Sequence, residues 1–168
     1  MKLNLLFGAL VFLTIFSLSS PAQTRKEMRA KYKPSGEQTE GSGTSDIYHI
    51  RPDITAFFEY DKNEKAIQAI IQHITTKENN FKPLVMPYTL VQELLEELIP
   101  MSKRGKLCGN LERAFESNVR KTFVYENVLI KLEIPKPTSN ESKETVRQAQ
   151  FNSIKNTSCS INNLQFDF

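Results

Sequence analysis

The sequence predicts an α+β fold, a small and mostly antiparallel sheet with one face covered by an amphipathic helix. Short segments in which apolar and polar residues alternate recur between turn residues, which is typical of half-buried strands. One segment, residues 87–99, instead has its apolar residues at helical spacing. The chain has 168 residues, of which 39% are hydrophobic, so it can form one core but hardly a second domain.

Residues 1–22 have the pattern of a signal peptide. A lysine precedes an uncharged apolar run over residues 5–18, shorter than the roughly 20 residues that a transmembrane helix needs. Ser20 and Ala22 are the small residues that signal peptidase requires before a cleavage at Gln23. We therefore expect an exported protein, periplasmic or secreted, with no stable membrane span after cleavage.

The next segment, residues 23–45, is predicted to be a short helix followed by a flexible polar linker. Thr24 can cap a helix of good helix formers, and Pro34 and Gly36 end it. From residue 33 to 45 glycines lie among serine, threonine, glutamate and glutamine, a composition typical of linkers. The single α+β domain then occupies residues 46–168.

Alternation of apolar and polar residues predicts the first strands of this domain. They occupy residues 47–50, 54–60 and 122–133, the last interrupted at residues 126–127. Residues 66–74 fit both periods, because their isoleucines have helical spacing and also alternate with glutamines. The polar loop at residues 61–65 and the β-branched side chains favour a strand, and hence a hairpin.

The clearest helix covers residues 87–99. Its apolar stripe is formed by Leu90, Val91, Leu94, Leu95, Leu98 and Ile99, and Glu93, Glu96 and Glu97 are expected on the opposite, solvated face. Thr89 and Gln92 have the spacing of a capping box, and Pro100 and Gly105 close the far end. Weaker patterns predict a second helix at residues 108–118, a polar helix within residues 139–150 and a final edge strand at residues 164–168.

The two cysteines bear on the location of the protein. In an exported chain an even number of cysteines is most simply explained by a disulfide, here Cys108–Cys159. Two unlinked thiols are the alternative. A disulfide would connect the C-terminal segment to the middle of the domain.

Several short motifs resemble a group of small exported bacterial proteins of uncharacterised function. They are Arg25-Lys26-Glu27, Lys31-Tyr32 with Pro34, Arg51-Pro52-Asp53-Ile54, Glu96-Glu97-Leu98-Ile99-Pro100, Arg104-Gly105-Lys106 and Tyr125-Glu126-Asn127-Val128. The resemblance implies export, a hairpin across residues 61–65 and one compact domain. The chain departs from the group in lacking a glycine after Tyr32. Its opening is also similar, at the level of fold, to outer-membrane assembly lipoproteins and β-lactamase inhibitors.

No residue pattern indicates catalysis or a cofactor. His49 and His73 are distant in sequence and have no ligand partners at metal-binding spacing, so no metal site is predicted. A Gly-x-Ser-x-Gly turn is absent, and a disulfide would occupy both cysteines. Lys103, Arg104 and Lys106 form the one candidate patch for an anionic partner. A net charge of only +3 disfavours nucleic acid as that partner.

The sequence therefore favours an exported, non-catalytic domain that binds a protein or a component of the cell envelope. Its contact would be a sheet edge or the basic loop at residues 103–106. A small exported hydrolase, with catalytic residues that only the fold brings together, is the second hypothesis. A protein anchored by an uncleaved N-terminus is the third, because the five cations between residues 25 and 33 oppose translocation.

Overall fold

A computed structural model describes residues 23–40, 43–74, 84–136, 145–154 and 159. Within these residues there are three helices and ten strands. The helices are α1 (Arg25–Lys31), α2 (Tyr88–Leu98) and α3 (Met101–Arg104). The strands are β1 (Pro34–Glu40), β2 (Gly43–Arg51), β3 (Ile54–Tyr60), β4 (Ala66–His73), β5 (Met86–Pro87), β6 (Leu107–Ala114), β7 (Asn118–Tyr125), β8 (Val128–Pro135), β9 (Thr145–Val146) and β10 (Gln148–Ser153).

Eight of the strands form one antiparallel sheet, in the order β1-β2-β3-β4-β10-β8-β7-β6, and β5 pairs with β9. The order contains an internal repeat. In the first half of the chain, helix α1 is followed by four antiparallel strands, β1 to β4. In the second half, helices α2 and α3 are followed by four more strands of the same sheet, β6, β7, β8 and β10. The last strands of the two halves, β4 and β10, pair antiparallel at the centre. The outermost strands of the sheet are therefore β1 and β6.

The core lies between the helices and one face of this sheet. Strand β3 alternates buried and partly buried residues along its whole length, as a strand with one covered face should. Phe58 is at the centre, with its ring 5.8 Å from that of Tyr48 and 5.7 Å from that of Phe151. Helix α2 contributes Val91, Leu94, Leu95 and Leu98 to the same core.

The observed fold is sheet-rich with few helices, so the prediction of a small, mostly antiparallel sheet is confirmed. The prediction that one helix covers a face of the sheet fits only in part, because α1 and α2 both bury residues against the sheet. Helix α1 begins at the predicted cap, where the Thr24 hydroxyl accepts from the Glu27 N–H and the Glu27 carboxylate accepts from the Thr24 N–H. The strand at residues 54–60 and the hairpin before β4 are also confirmed.

The prediction of a flexible linker is wrong over the described part of residues 33–45. Residues 34–40 form β1, and β2 begins at residue 43. Strand β1 forms at the edge of the sheet without an alternating apolar pattern. Its backbone pairs with β2, and Glu37 forms ion pairs, so these contacts hold the polar residues in place. A composition typical of linkers therefore does not exclude an edge strand.

Three helix predictions are also wrong. Residues 107–114 form β6, where a helix was expected within 108–118, because they pair with β7. Where a polar helix was expected within residues 139–150, the described part of that segment belongs to β9 and β10, and β10 pairs with β4 and β8. The expected final strand at residues 164–168 lies outside the described residues. Helix α2 follows Pro87 with no side-chain cap, so the capping box of Thr89 and Gln92 does not form.

The predicted interruption at residues 126–127 is the turn between β7 and β8. Among the described residues, none of the helices has the length and apolar character to cross a membrane.

Candidate functional site

Helix α1 is attached to the sheet by a buried carboxylate. Asp46, on β2, is fully buried and accepts five hydrogen bonds: two each from Arg25 and Arg29 and one from the Tyr48 hydroxyl, at 2.7–3.0 Å. Burial opposes ionisation of Asp46, but these hydrogen bonds outweigh it and hold the pKa of the carboxyl far below its ordinary value. Both oxygens of the carboxylate already accept hydrogen bonds within the protein, so the cluster has a structural role.

The tyrosines beside Asp46 are locked in their neutral form. The Tyr48 and Tyr60 oxygens are 3.1 Å apart, and both residues are fully buried. Burial raises the pKa of Tyr48 to about 12 and raises that of Tyr60 further.

A second ionic cluster is centred on Glu97 of α2. Its carboxylate accepts from Tyr32, Lys31 and Arg51, which follow or belong to α1 and β2. Burial would raise its pKa, but these three donors lower the pKa to about 2. The expectation that Glu97 lies on a solvated face is therefore wrong, since it joins three elements. Glu93 and Glu96 are exposed, as expected.

Strand β6 is an outer strand whose residues are mostly exposed. Its large exposed apolar side chains are Leu107 and Leu111, which are 45% and 41% exposed. The hairpin to β7 is closed by the Phe115 N–H, which donates to the Asn118 carbonyl at 2.8 Å. Because hydrogen-bonded and non-hydrogen-bonded pairs alternate in an antiparallel ladder, the N–H groups of Asn110 and Glu112 point away from β7. Among the described residues no strand pairs with this side of β6, so these groups could accept a further strand.

A cavity of about 240 Å³ lies between helices α2 and α3 and the sheet. Its floor is apolar and is formed by Phe123, Tyr125, Ile130 and Leu132 of β7 and β8. Its wall is one side of α2, where Tyr88, Gln92, Leu95 and Glu96 recur at helical spacing. Sequence reasoning missed this cavity, because only the pairing of β7 with β8 under α2 assembles it.

The cavity contains one buried cation, Arg104. The residue is 7% exposed, and its guanidinium donates to the Ile99 carbonyl, to Met101 Sδ and to Glu96 Oε2. Its Cζ is also 5.8 Å from the centre of the Tyr125 ring. The guanidinium is thereby held in one orientation at the end of the cavity.

The structure does not bring the three predicted patch residues into one surface. Arg104 is buried and lines the cavity, whereas the Lys103 ammonium is 3.8 Å from Glu27. The Lys106 backbone N–H donates to Glu126 across the adjacent turn. Of the predicted set, only Arg104 therefore lies where a ligand could be enclosed.

The remaining candidates are structural. Cys108 and Cys159 have their sulfur atoms 2.12 Å apart, which is compatible with the predicted disulfide and with export. His73 is nearly buried, with its Nδ1 3.0 Å from the Asp53 carbonyl oxygen. No cluster of metal-ligating side chains is found in the described part of the chain.

Comparison with known proteins gives no relative: no protein-family model, no curated protein and no solved structure matches this chain. Its function must therefore be argued from its own residues.

Proposed function

We propose that the protein is an exported, non-catalytic domain of the α+β class that binds a partner protein by accepting a strand of the partner beside β6. Export is supported by the signal-peptide pattern of residues 1–22 and is compatible with the Cys108–Cys159 pair. The observation that carries the proposal is the outer edge of β6, with which no strand in the described part of the chain pairs. The strand is eight residues long and exposes Leu107 and Leu111.

The other outer strand supports the choice of β6. Strand β1 begins with Pro34, which has no N–H, and it holds Glu37 in ion pairs with the two arginines of α1. Proline and charge are the usual protection of a sheet edge against unwanted pairing. Strand β6 contains no proline, and its exposed leucines would pack against side chains of an added strand.

A hydrolase is supported less well. Of the described residues that line the cavity, Glu96 is the one carboxylate, and it is already paired with Arg104. Acid and base catalysis by a carboxylate pair needs a second such group within reach of the first.

The proposal is tested in the native host with a photo-cross-linking residue at Asn110, beside the free edge. We expect one partner to be cross-linked there, and none from the same residue at Gln72, an exposed position in the middle of the sheet.

The decisive variant is Glu112→Pro. It removes an N–H group that points away from β7, and it leaves the hydrogen bonds between β6 and β7 in place. It should abolish cross-linking from Asn110 and weaken binding of the purified partner at least tenfold, whereas Glu112→Gln should not. Equal cross-linking at both positions, or full binding by the proline variant, would refute strand addition.

A further inference from the structure

The cavity beside α2 has the features of a ligand site that is independent of the β6 edge. We infer that it binds a small organic anion, a carboxylate attached to an aromatic or branched aliphatic body. The inference does not depend on the proposed function, because β6 contributes no residue to the described lining of the cavity.

The shape and lining of the cavity determine the body of the ligand. At about 240 Å³ the cavity is smaller than most small-molecule pockets, which begin at roughly 300 Å³, so it suits only a small ligand. Its floor is formed by aromatic and branched side chains, including Phe123, Ile130 and Leu132. Such a floor favours an apolar group of about ten heavy atoms.

The fixed guanidinium of Arg104 determines the charge. A guanidinium has five N–H groups, and the contacts of Arg104 with Ile99, Met101 and Glu96 use one on each nitrogen. One N–H on Nη1 and one on Nη2 remain for a ligand among the described contacts. A carboxylate accepts charge-assisted hydrogen bonds of this kind from arginine, one on each of its oxygens.

The electrostatic balance also favours an anion. The side chain of Arg104 is 9% exposed, whereas that of its partner Glu96 is 53% exposed. Water screens the exposed carboxylate more than the buried guanidinium, so the potential inside the cavity is positive.

The experiment is a calorimetric titration of the full mature protein with 4-phenylbutyrate, and with its neutral amide and acetate as comparison probes. We expect the carboxylate to bind at least tenfold more tightly than the amide, because a charged hydrogen-bond pair is lost in the amide. Acetate, which lacks the apolar body, should not bind measurably. Equal affinity for the carboxylate and the amide would overturn the inference, as would no binding of 4-phenylbutyrate at millimolar concentration.

Two variants of α2 separate a local effect from a change in net charge. Gln92→Lys adds one positive charge and Glu93→Gln removes one negative charge, so each raises the net charge by one at an exposed helix position. Of the two residues, only residue 92 lines the cavity. We expect Gln92→Lys to strengthen binding of 4-phenylbutyrate several-fold, Gln92→Glu to weaken it by a similar factor and Glu93→Gln to leave it nearly unchanged. Equal effects of Gln92→Lys and Glu93→Gln would refute a site in this cavity.

The direct variant, Arg104→Gln, should remove the preference for the carboxylate over the amide. Because Arg104 also holds Ile99, this variant is first checked for an unchanged circular-dichroism spectrum. If it does not fold, the variants at residue 92 decide the question. A folded Arg104→Gln protein that keeps the tenfold preference would contradict the assigned role of the guanidinium.

Discussion

Replacing Asp46 by asparagine should destabilise the protein more than any other single isosteric change in its ionic clusters. The substitution preserves the shape of the side chain but replaces one acceptor oxygen by a donor NH2 group. Oδ1 accepts two hydrogen bonds from the arginines, and Oδ2 accepts two from them and one from Tyr48. Whichever oxygen is replaced, at least two bonds are lost and an N–H group faces other N–H groups.

The magnitude follows from these contacts. A hydrogen bond to a charged group contributes about 1.5–3 kcal/mol, so the loss of two costs about 3–6 kcal/mol. The Arg29 side chain is 36% exposed and can recover hydrogen bonds from water, whereas that of Arg25 is 12% exposed. We therefore expect the free energy of unfolding to fall by about 3–4 kcal/mol, within the range for breaking a buried ion pair.

The assay is urea unfolding at pH 7 of a protein that comprises residues 23–168, with its cysteines oxidised. For a dependence of the unfolding free energy on urea of about 2 kcal/mol/M, the midpoint should fall by about 1.5–2 M. Glu37→Gln is the matched control, because Glu37 pairs with the same two arginines but its side chain is 49% exposed. The control should shift the midpoint only slightly, since exposed ion pairs contribute little.

The reasoning would be refuted by a shift below about 0.5 M for Asp46→Asn, or by equal shifts for the two variants. Either result would mean that the carboxylate is not the group that holds α1 on the sheet.

Two further predictions concern the ionic cluster of Glu97 and the Cys108–Cys159 pair. The pKa of Glu97 is lowered from 4.5 to about 2, so its ionic contacts stabilise the folded state at neutral pH by roughly 3 kcal/mol, and this contribution is lost as the pH falls from about 4.5 to 2. The difference in urea midpoint between the wild type and Glu97→Gln should therefore shrink over this interval, and a constant difference would contradict the assignment. Reducing the Cys108–Cys159 pair should lower stability by about 4 kcal/mol, because the residues are 51 positions apart and the open chain gains entropy. The oxidised mass should be lower by two hydrogens, and an unchanged mass would show free thiols.

The accuracy of the sequence predictions depended on whether a segment's partner was local. The helix α1 has both members of its capping box within four residues, so its start could be read directly. Strand β3 and its hairpin to β4 combine an alternating pattern with a polar turn. In contrast, β1 is polar along most of its length and β6 has no regular alternation of apolar and polar residues, so both are strands only because they pair with neighbouring strands.

The candidate sites were predictable to a smaller extent. Arg104 was selected as part of a basic cluster, but its burial beneath α2 separates it from Lys103 and Lys106. A charge pattern along the chain reports how many cations are close in sequence, not which of them face solvent. Glu97 was misplaced for the same reason, since its partners are Lys31 and Arg51 on distant elements.

The sequence by itself determined the apolar faces of the central elements, because hydrophobic periodicity, turn residues and helix caps act over a few residues. Only the tertiary structure decided the two outer strands, the internal repeat about β4 and β10, and the cavity that Arg104 lines. The physical reason is that backbone pairing and ionic contacts between distant segments compensate for weak local preferences. Contacts between distant segments do not produce a periodic pattern in the sequence.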